Sequence, residues 1–248
     1  MPPSSDHPRP LVELLGTITA GRVLDVGAGT GQFTRVLADC LAGFDEIVGI
    51  DTDARSLDRA KQAFTKPNVT FEQADAEKLP FPSGHFDTVA IAYSLHHFEN
   101  LDGVVAELRR VTRPGGTWIV VEMHSDARTS AGKNAVDLHL WGAAVDRALG
   151  RFHDPVYTHQ DLAAQIDALR LARLRTVEWQ DDDNEVAEKN AEAAVQVIRQ
   201  VLERAEGKEA YDALADQASA LIERIRQHGL GAQPFLLAVG TPEGIPRA

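Results

Sequence analysis

Cysteine is almost missing: Cys40 is the single example in 248 residues. No intrachain disulfide can form, and the place of Cys40 in the apolar rhythm of a helical pattern makes it a buried thiol. No apolar run is long enough for a secretory core or a membrane span, so a soluble, cytoplasmic protein with no membrane partner is expected. Basic residues are in short supply, with 25 Lys and Arg against 37 Asp and Glu and a formal net charge of -12. That balance disfavours nonspecific binding to nucleic acid, which needs clustered cations to neutralise phosphates, and no nucleic-acid partner is expected. Internal repeats and low-complexity tracts are absent too. The length suits one substantial core with helical additions.

What is present begins at Val23-Leu24-Asp25-Val26-Gly27-Ala28-Gly29-Thr30-Gly31. A short apolar run feeds three alternate glycines and then a helical pattern, which reads as a strand delivering a backbone loop to a ligand. Glycine permits tight turns and close approach, and the following helix start offers free N–H groups to an anionic group. Two phosphate signatures are nevertheless missing. The sixth position of a G-x-G-x-x-G fingerprint counted from Gly27 is Gln32, and no Gly-Lys-Ser follows. A nucleotide-like cofactor without a pyrophosphate is therefore expected.

Short β-like runs alternate with helical patterns along the chain, which predicts an α/β fold of three layers around a mostly parallel sheet. Seven strands are expected, at 22–26, 46–50, 69–73, 86–92, 116–122, 173–179 and 235–240. Pro114-Gly115-Gly116 reads as a turn ahead of the fifth. Residues 1–20 read as an N-terminal lead with a proline-rich, flexible start, 21–123 as the cofactor-binding core, and 124–172 as an acceptor lid. Residues 173–248 hold the last strands and an inserted helical hairpin at 186–227. Thr158 with Asp161 predicts a helix start, with Leu162, Ile166 and Leu169 facing the body. The hairpin carries two apolar stripes, one including Val195 and Ile198 and the other Leu214, Leu221 and Ile225.

Asp51 ends the second strand on the ligand side of such a sheet, where a carboxylate suits the two hydroxyls of a ribose. Asp53 is better explained as the cap of the helix that follows. Asp75 and Ala76, just past the third strand, form another edge of the same pocket.

Taken in order, VLDVGAGTGQFT, IVGIDTD, QADAEKLPFPSGHFDTVAIAYSLHHF and LRRVTRPGGTWIVVE resemble the class I S-adenosylmethionine-dependent methyltransferases of the UbiE-like or Methyltransf_11-like small-molecule group. The resemblance covers about residues 20–123. It implies a Rossmann-like, seven-stranded sheet with a helical substrate lobe, and S-adenosylmethionine as cofactor with S-adenosylhomocysteine as product. It further implies that Asp25 and the Gly27, Gly29 and Gly31 backbone organise the methionine part and that Asp51 binds the ribose hydroxyls, with Ala28 and Thr52 as further cofactor-binding residues. Asp75 would approach the adenine amine, the Ala76 backbone a ring nitrogen, and Tyr93 and Ser94 the sulfonium end. The chain departs from the simplest family pattern in separating its sixth and seventh strands by the helices of 184–229.

Methyl transfer to an oxygen, nitrogen or carbon of a small organic acceptor needs alignment and, for some acceptors, a base. His97 and His96 after the fourth strand, and His124 after the fifth, are the candidate catalytic residues, with His97 preferred. Glu122, His139, Trp141, His153 and Tyr157 are the candidate acceptor-binding residues, and His159 is a further one. The histidines lack a compact metal spacing such as H-E-x-x-H, so no metal is expected. A degenerate cofactor-binding or protein-interaction module is the alternative to an enzyme, and a homodimer is left open.

Overall fold

The computed structural model describes residues 7–181 and 184–245. Seven strands are present: β1 (Arg22–Val26), β2 (Glu46–Asp51), β3 (Val69–Gln73), β4 (Phe86–Ala92), β5 (Thr112–Met123), β6 (Leu171–Trp179) and β7 (Phe235–Pro242). They form one sheet in the order β3-β2-β1-β4-β5-β7-β6. The first five are mutually parallel, and β7 runs antiparallel between β5 and β6. The long excursion between β6 and β7 therefore leaves the pairing of the last strands intact, because β7 returns with Phe235 opposite both Met123 and Trp179.

Strand order reverses direction between β1 and β4, and in open α/β sheets the crevice beyond the strand ends at such a point receives ligands. Both faces of the sheet are covered. Residues of β1 divide between them: Val23 packs with Leu37 and Ile47, whereas Leu24 and Val26 pack with Val48 and Phe86 on the other side. Such two-sided burial explains why the central strands are continuous apolar runs. The helices α2 (Gln32–Cys40) and α3 (Ala54–Ala63) cover the first face through Leu37 and Leu57. On the second, α4 (Leu101–Val111) contributes Val104 and Leu108, and α6 (His159–Ala168) contributes Leu162 and Ile166. Thr158 caps α6 as expected, accepting from the Asp161 N–H at 3.1 Å.

The sequence reading is corrected at two places. Residues 1–6 lie outside the described residues, but Arg9–Leu15 of the expected lead form a helix, α1, whose Leu11 and Leu15 are buried in the core. Burying each is worth roughly 1.5–3 kcal/mol, which outweighs the loop-like composition around it. Pro114-Gly115-Gly116 does not precede β5 but lies inside it as a bulge: Phe86 pairs with Thr112 and Thr88 with Thr117. Gly115 takes φ +77°, a conformation glycine allows at little cost.

Outside the sheet, α5 (Ser130–Ala148) packs with α7 (Asn184–Glu203) and α8 (Tyr211–His228) into a three-helix lobe. Trp141 and Val145 of α5 meet Ile198 of α7 and Leu221 and Ile225 of α8. The amphipathic hairpin is thus held by α5. Among the described residues no helix is long and apolar enough to cross a membrane.

Candidate functional site

The strand ends of β1, β2 and β4 open onto a cavity of about 710 Å³. Gly27, Ala28 and Gly29 form its floor, Asp51 and Thr52 one side, and Asp75 and Ala76 the far edge. Tyr93, Ser94 and His97 line the end beyond β4. Ten of the fourteen residues expected to bind the cofactor or carry chemistry are therefore brought together.

The glycines are required by geometry. Gly27 sits at φ +73°, and a Cβ there would stand 2.5 Å from Ser94 Oγ. Gly29 sits at φ +52°, but a Cβ on it would meet nothing nearer than Asp51 Oδ2 at 4.0 Å. Gly29 therefore presents bare backbone to open cavity, the arrangement a closely approaching ligand needs. Gly31 does not line this cavity; it is the left-handed N-cap of α2.

Asp51 is fixed from both oxygens. Oδ2 accepts from the Gly29 N–H at 2.9 Å and Oδ1 from the Asp53 N–H at 2.8 Å. A carboxylate has about four acceptor sites, so capacity remains for a diol. Asp53 caps α3 as expected, accepting from the Arg55 N–H at 3.1 Å. Asp75 accepts from the Glu77 N–H at 2.9 Å, which orients its turn along the rim.

Asp25 stands beneath the loop, 1% exposed, and takes a 2.5 Å hydrogen bond from Thr34 Oγ1. Burial pushes its carboxyl up to about 7, against the Thr34 hydrogen bond and with help from the Asp51 charge. Asp25 supports the floor and does not line the cavity. Tyr93 holds φ 55°, which few non-glycine residues tolerate, and its ring packs edge-on against Phe33 and Phe235. Strain of this kind collects where a fold must aim a side chain.

The histidines separate into two groups. His97 is exposed to the cavity, and partial desolvation, then crowding by His96, His153 and His139, holds its imidazolium below the ordinary range. His96 is buried, with Nδ1 3.2 Å from Glu122 Oε2 but not aligned as a hydrogen bond. His139 and His153 converge on it, with His139 Nε2 3.1 Å from His96 Nε2 and 3.2 Å from His153 Nε2. His124 lies elsewhere, beside His159 in a smaller cavity with Asp126 and Gln180.

The expected acceptor-binding residues do not line the main cavity. Glu122 is wholly buried, accepting from the Leu95 N–H at 2.8 Å and the Met123 N–H at 2.9 Å, so its carboxylate organises the strand exit. Trp141 is 5% exposed, donates to the Leu214 carbonyl at 3.0 Å and belongs to the core of the lobe. Its helical rhythm reflects packing, not an aromatic wall. Tyr157 packs beside the second face of the sheet, and burial pushes its hydroxyl up to about 12. Phe152, 39% exposed, and Phe98 line the cavity instead. A lone Phe between Arg151 and His153 gave Phe152 no periodic signal to be found by.

Residues 24–120 match a family described as a methyltransferase domain, Methyltransf_11. Within that span the chain is similar to the class I S-adenosylmethionine-dependent methyltransferases. The chain is 40% identical over 115 residues to ubiquinone/menaquinone biosynthesis C-methyltransferase UbiE of Pseudomonas paraeruginosa, covering 45% of each protein. The chain spans about half the length of the curated relatives it matches. Among solved structures, the YcgJ protein of Bacillus subtilis shares the fold at TM-score 0.55 and 20% identity, covering 94% of this chain and 98% of that one. A Haemonchus contortus phosphoethanolamine N-methyltransferase in complex with S-adenosyl-L-methionine does so at TM-score 0.55 and 16% identity, over 94% of this methyltransferase-like chain and 51% of that one. At those identities the likeness is one of fold.

Proposed function

We propose that this chain binds S-adenosylmethionine in the glycine-loop cavity and transfers its methyl group to an oxygen, nitrogen or carbon atom of a small organic acceptor. The observation that carries the reading is the Gly29–Asp51 pair: bare backbone facing open cavity, beside a fixed carboxylate with lone pairs to spare. A cavity of about 710 Å³ also suits a cofactor of nucleoside size, within the roughly 300–1,000 Å³ usual for small-molecule pockets.

When bound, the cofactor supplies an activated sulfonium methyl. Asp51 and Thr52 hold the ribose, and Asp75 and the Ala76 backbone select adenine. The glycine loop, supported by Asp25, receives the methionine part, while Tyr93 and Ser94 close that end. His97 orients the acceptor by a hydrogen bond, and Phe98 and Phe152 shield the reacting atoms from water, so that alignment supplies most of the acceleration. His96, His139 and His153 support that wall from outside the cavity, and His124 takes no part. The enzyme acts in the cytoplasm, as monomer or homodimer.

Calorimetry with S-adenosylhomocysteine, followed by incubation of the enzyme and labelled S-adenosylmethionine with a host extract, tests the reading. Label in a small organic product supports it. Cofactor affinity without transfer to any component would favour a binding module.

A further inference from the structure

The three histidines that crowd together beside the cavity come from three different elements. His96 lies in the short 3-10 turn after β4, His139 on α5, and His153 in the loop between α5 and α6. We propose that His96, His139 and His153 form a binding site for one divalent transition-metal ion of the zinc class.

Proton counting supplies the first argument. His153 Nδ1 lies 3.0 Å from Asp146 Oδ2, and His96 Nδ1 lies 3.2 Å from Glu122 Oε2. The Asp146 hydrogen bond places the His153 proton on Nδ1 and leaves its Nε2 lone pair free, and the nearby Glu122 charge, though not hydrogen-bonded to His96, favours the same tautomer there. Both free Nε2 atoms face His139 Nε2, at 3.1 and 3.2 Å. His139 Nε2 carries at most one hydrogen, so no arrangement of neutral rings gives both lone pairs a full donor. A cation at the centre satisfies all three at once.

Distance supplies the second. Zinc–nitrogen bonds of about 2.0–2.1 Å at a tetrahedral angle set ligand nitrogens roughly 3.3–3.4 Å apart. The observed separations fall within a few tenths of an ångström of that chord, and one ligand atom from each of the three rings lies within 4.8 Å of the others. Imidazole donors suit zinc, copper, iron and nickel, not magnesium or calcium. Asp146, hydrogen-bonded behind His153, is the outer partner that metal-bound histidines ordinarily have.

The site was hidden in the sequence because its members are 43 and 14 residues apart, with no local motif. Its effect would be on the cavity wall. The rings of His96 and His153 lie 4.4 and 4.1 Å from that of His97, and His153 follows Phe152, so an ion would tie α5 and the Phe152 loop to the turn that carries His97.

The test uses tag-free, chelator-treated full chain without cofactor, titrated with Zn²⁺ by calorimetry and with Co²⁺ by visible absorption. One ion per chain is expected, with the intense visible bands of a four-coordinate Co²⁺ site and a rise in Tm on Zn²⁺ binding. His139→Ala should abolish all three, and D146N should keep the stoichiometry while weakening affinity roughly 10–100-fold. His139 is half-buried, so H139A is the variant to make first; circular dichroism checks its fold, and the D146N shift stands if it fails. Absence of saturable binding to the wild-type chain, or binding unchanged in both folded H139A and D146N, would overturn the proposal, the latter placing the ion elsewhere.

Discussion

The Gly29 N–H donates to Asp51 Oδ2 at 2.9 Å, so the side chain expected to grip a ribose also fastens the loop beneath the cofactor. Binding and loop geometry are coupled through one carboxylate. Asp51→Ala should weaken S-adenosylhomocysteine binding by more than one hydrogen bond's worth, roughly 1–3 kcal/mol, since it removes the diol contact and frees the Gly29 amide together. Calorimetry on folded D51A protein measures this; an unchanged affinity would remove Asp51 from the ribose site.

Gly27 and Gly115 make a controlled pair. Both sit at positive φ, +73° and +77°, but a Cβ on Gly27 meets Ser94 Oγ at 2.5 Å and one on Gly115 meets nothing within 4 Å. G115A should cost only the backbone strain, about 1 kcal/mol or somewhat more, and G27A distinctly more because a clash is added. Equal urea midpoints for the two variants would show that the Ser94 contact gives way freely.

Asp25 makes stability depend on pH in the direction opposite to most carboxylates. Its carboxyl is raised from an ordinary 3.8 to about 7, so between those values the folded state holds a proton that the unfolded state has lost. The stabilisation from the protonated group is complete below the unfolded value and is lost as pH rises through about 7. Urea midpoints of cofactor-free protein at pH 5 and pH 8 should fall less for Asp25→Asn than for the wild type. A drop of equal size in both would exclude Asp25 as the source.

Trp141→Ala should act on the lobe. Truncating a buried Trp typically costs 3–5 kcal/mol, and here the Leu214 carbonyl also loses its donor. Hydrogen exchange should quicken across α5, α7 and α8 while protection of β1 and β4 is retained. Unchanged protection in the lobe, with loss of acceptor use alone, would return Trp141 to a substrate-binding role.

His97→Ala should slow methyl transfer while leaving cofactor affinity within about threefold, since the proposed ribose and adenine contacts belong to Asp51, Asp75 and Ala76. Single-turnover rates with an identified acceptor and calorimetry on the same preparation separate the two. A normal rate would strike His97 from the acceptor side.

The glycine-loop cavity was legible because its geometry is local: Gly27, Gly29 and Asp51 each sit at a strand end, and strand ends are readable from apolar runs. The seven strands were legible for the same reason, and even β7 kept its expected place. The acceptor half was not. Trp141 and His139 share one helix, yet one faces the lobe core and the other the histidine cluster, a difference set by packing against α8 that spacing along α5 does not reveal. Glu122 looked like a rim residue because it stands at the expected end of the fifth strand; the Leu95 N–H draws it inward instead. In the N-terminal segment, Leu11 and Leu15 were masked by nearby prolines.

Incubating the purified chain with methyl-labelled S-adenosylmethionine and a small-molecule extract, and resolving the products by mass spectrometry, is the decisive measurement. Label should appear in a nuclease- and protease-resistant organic product in step with S-adenosylhomocysteine release, with D51A protein giving far less of both. Tight cofactor binding by the wild-type chain with no labelled product from any extract fraction would contradict methyl transfer and leave a cofactor-binding module.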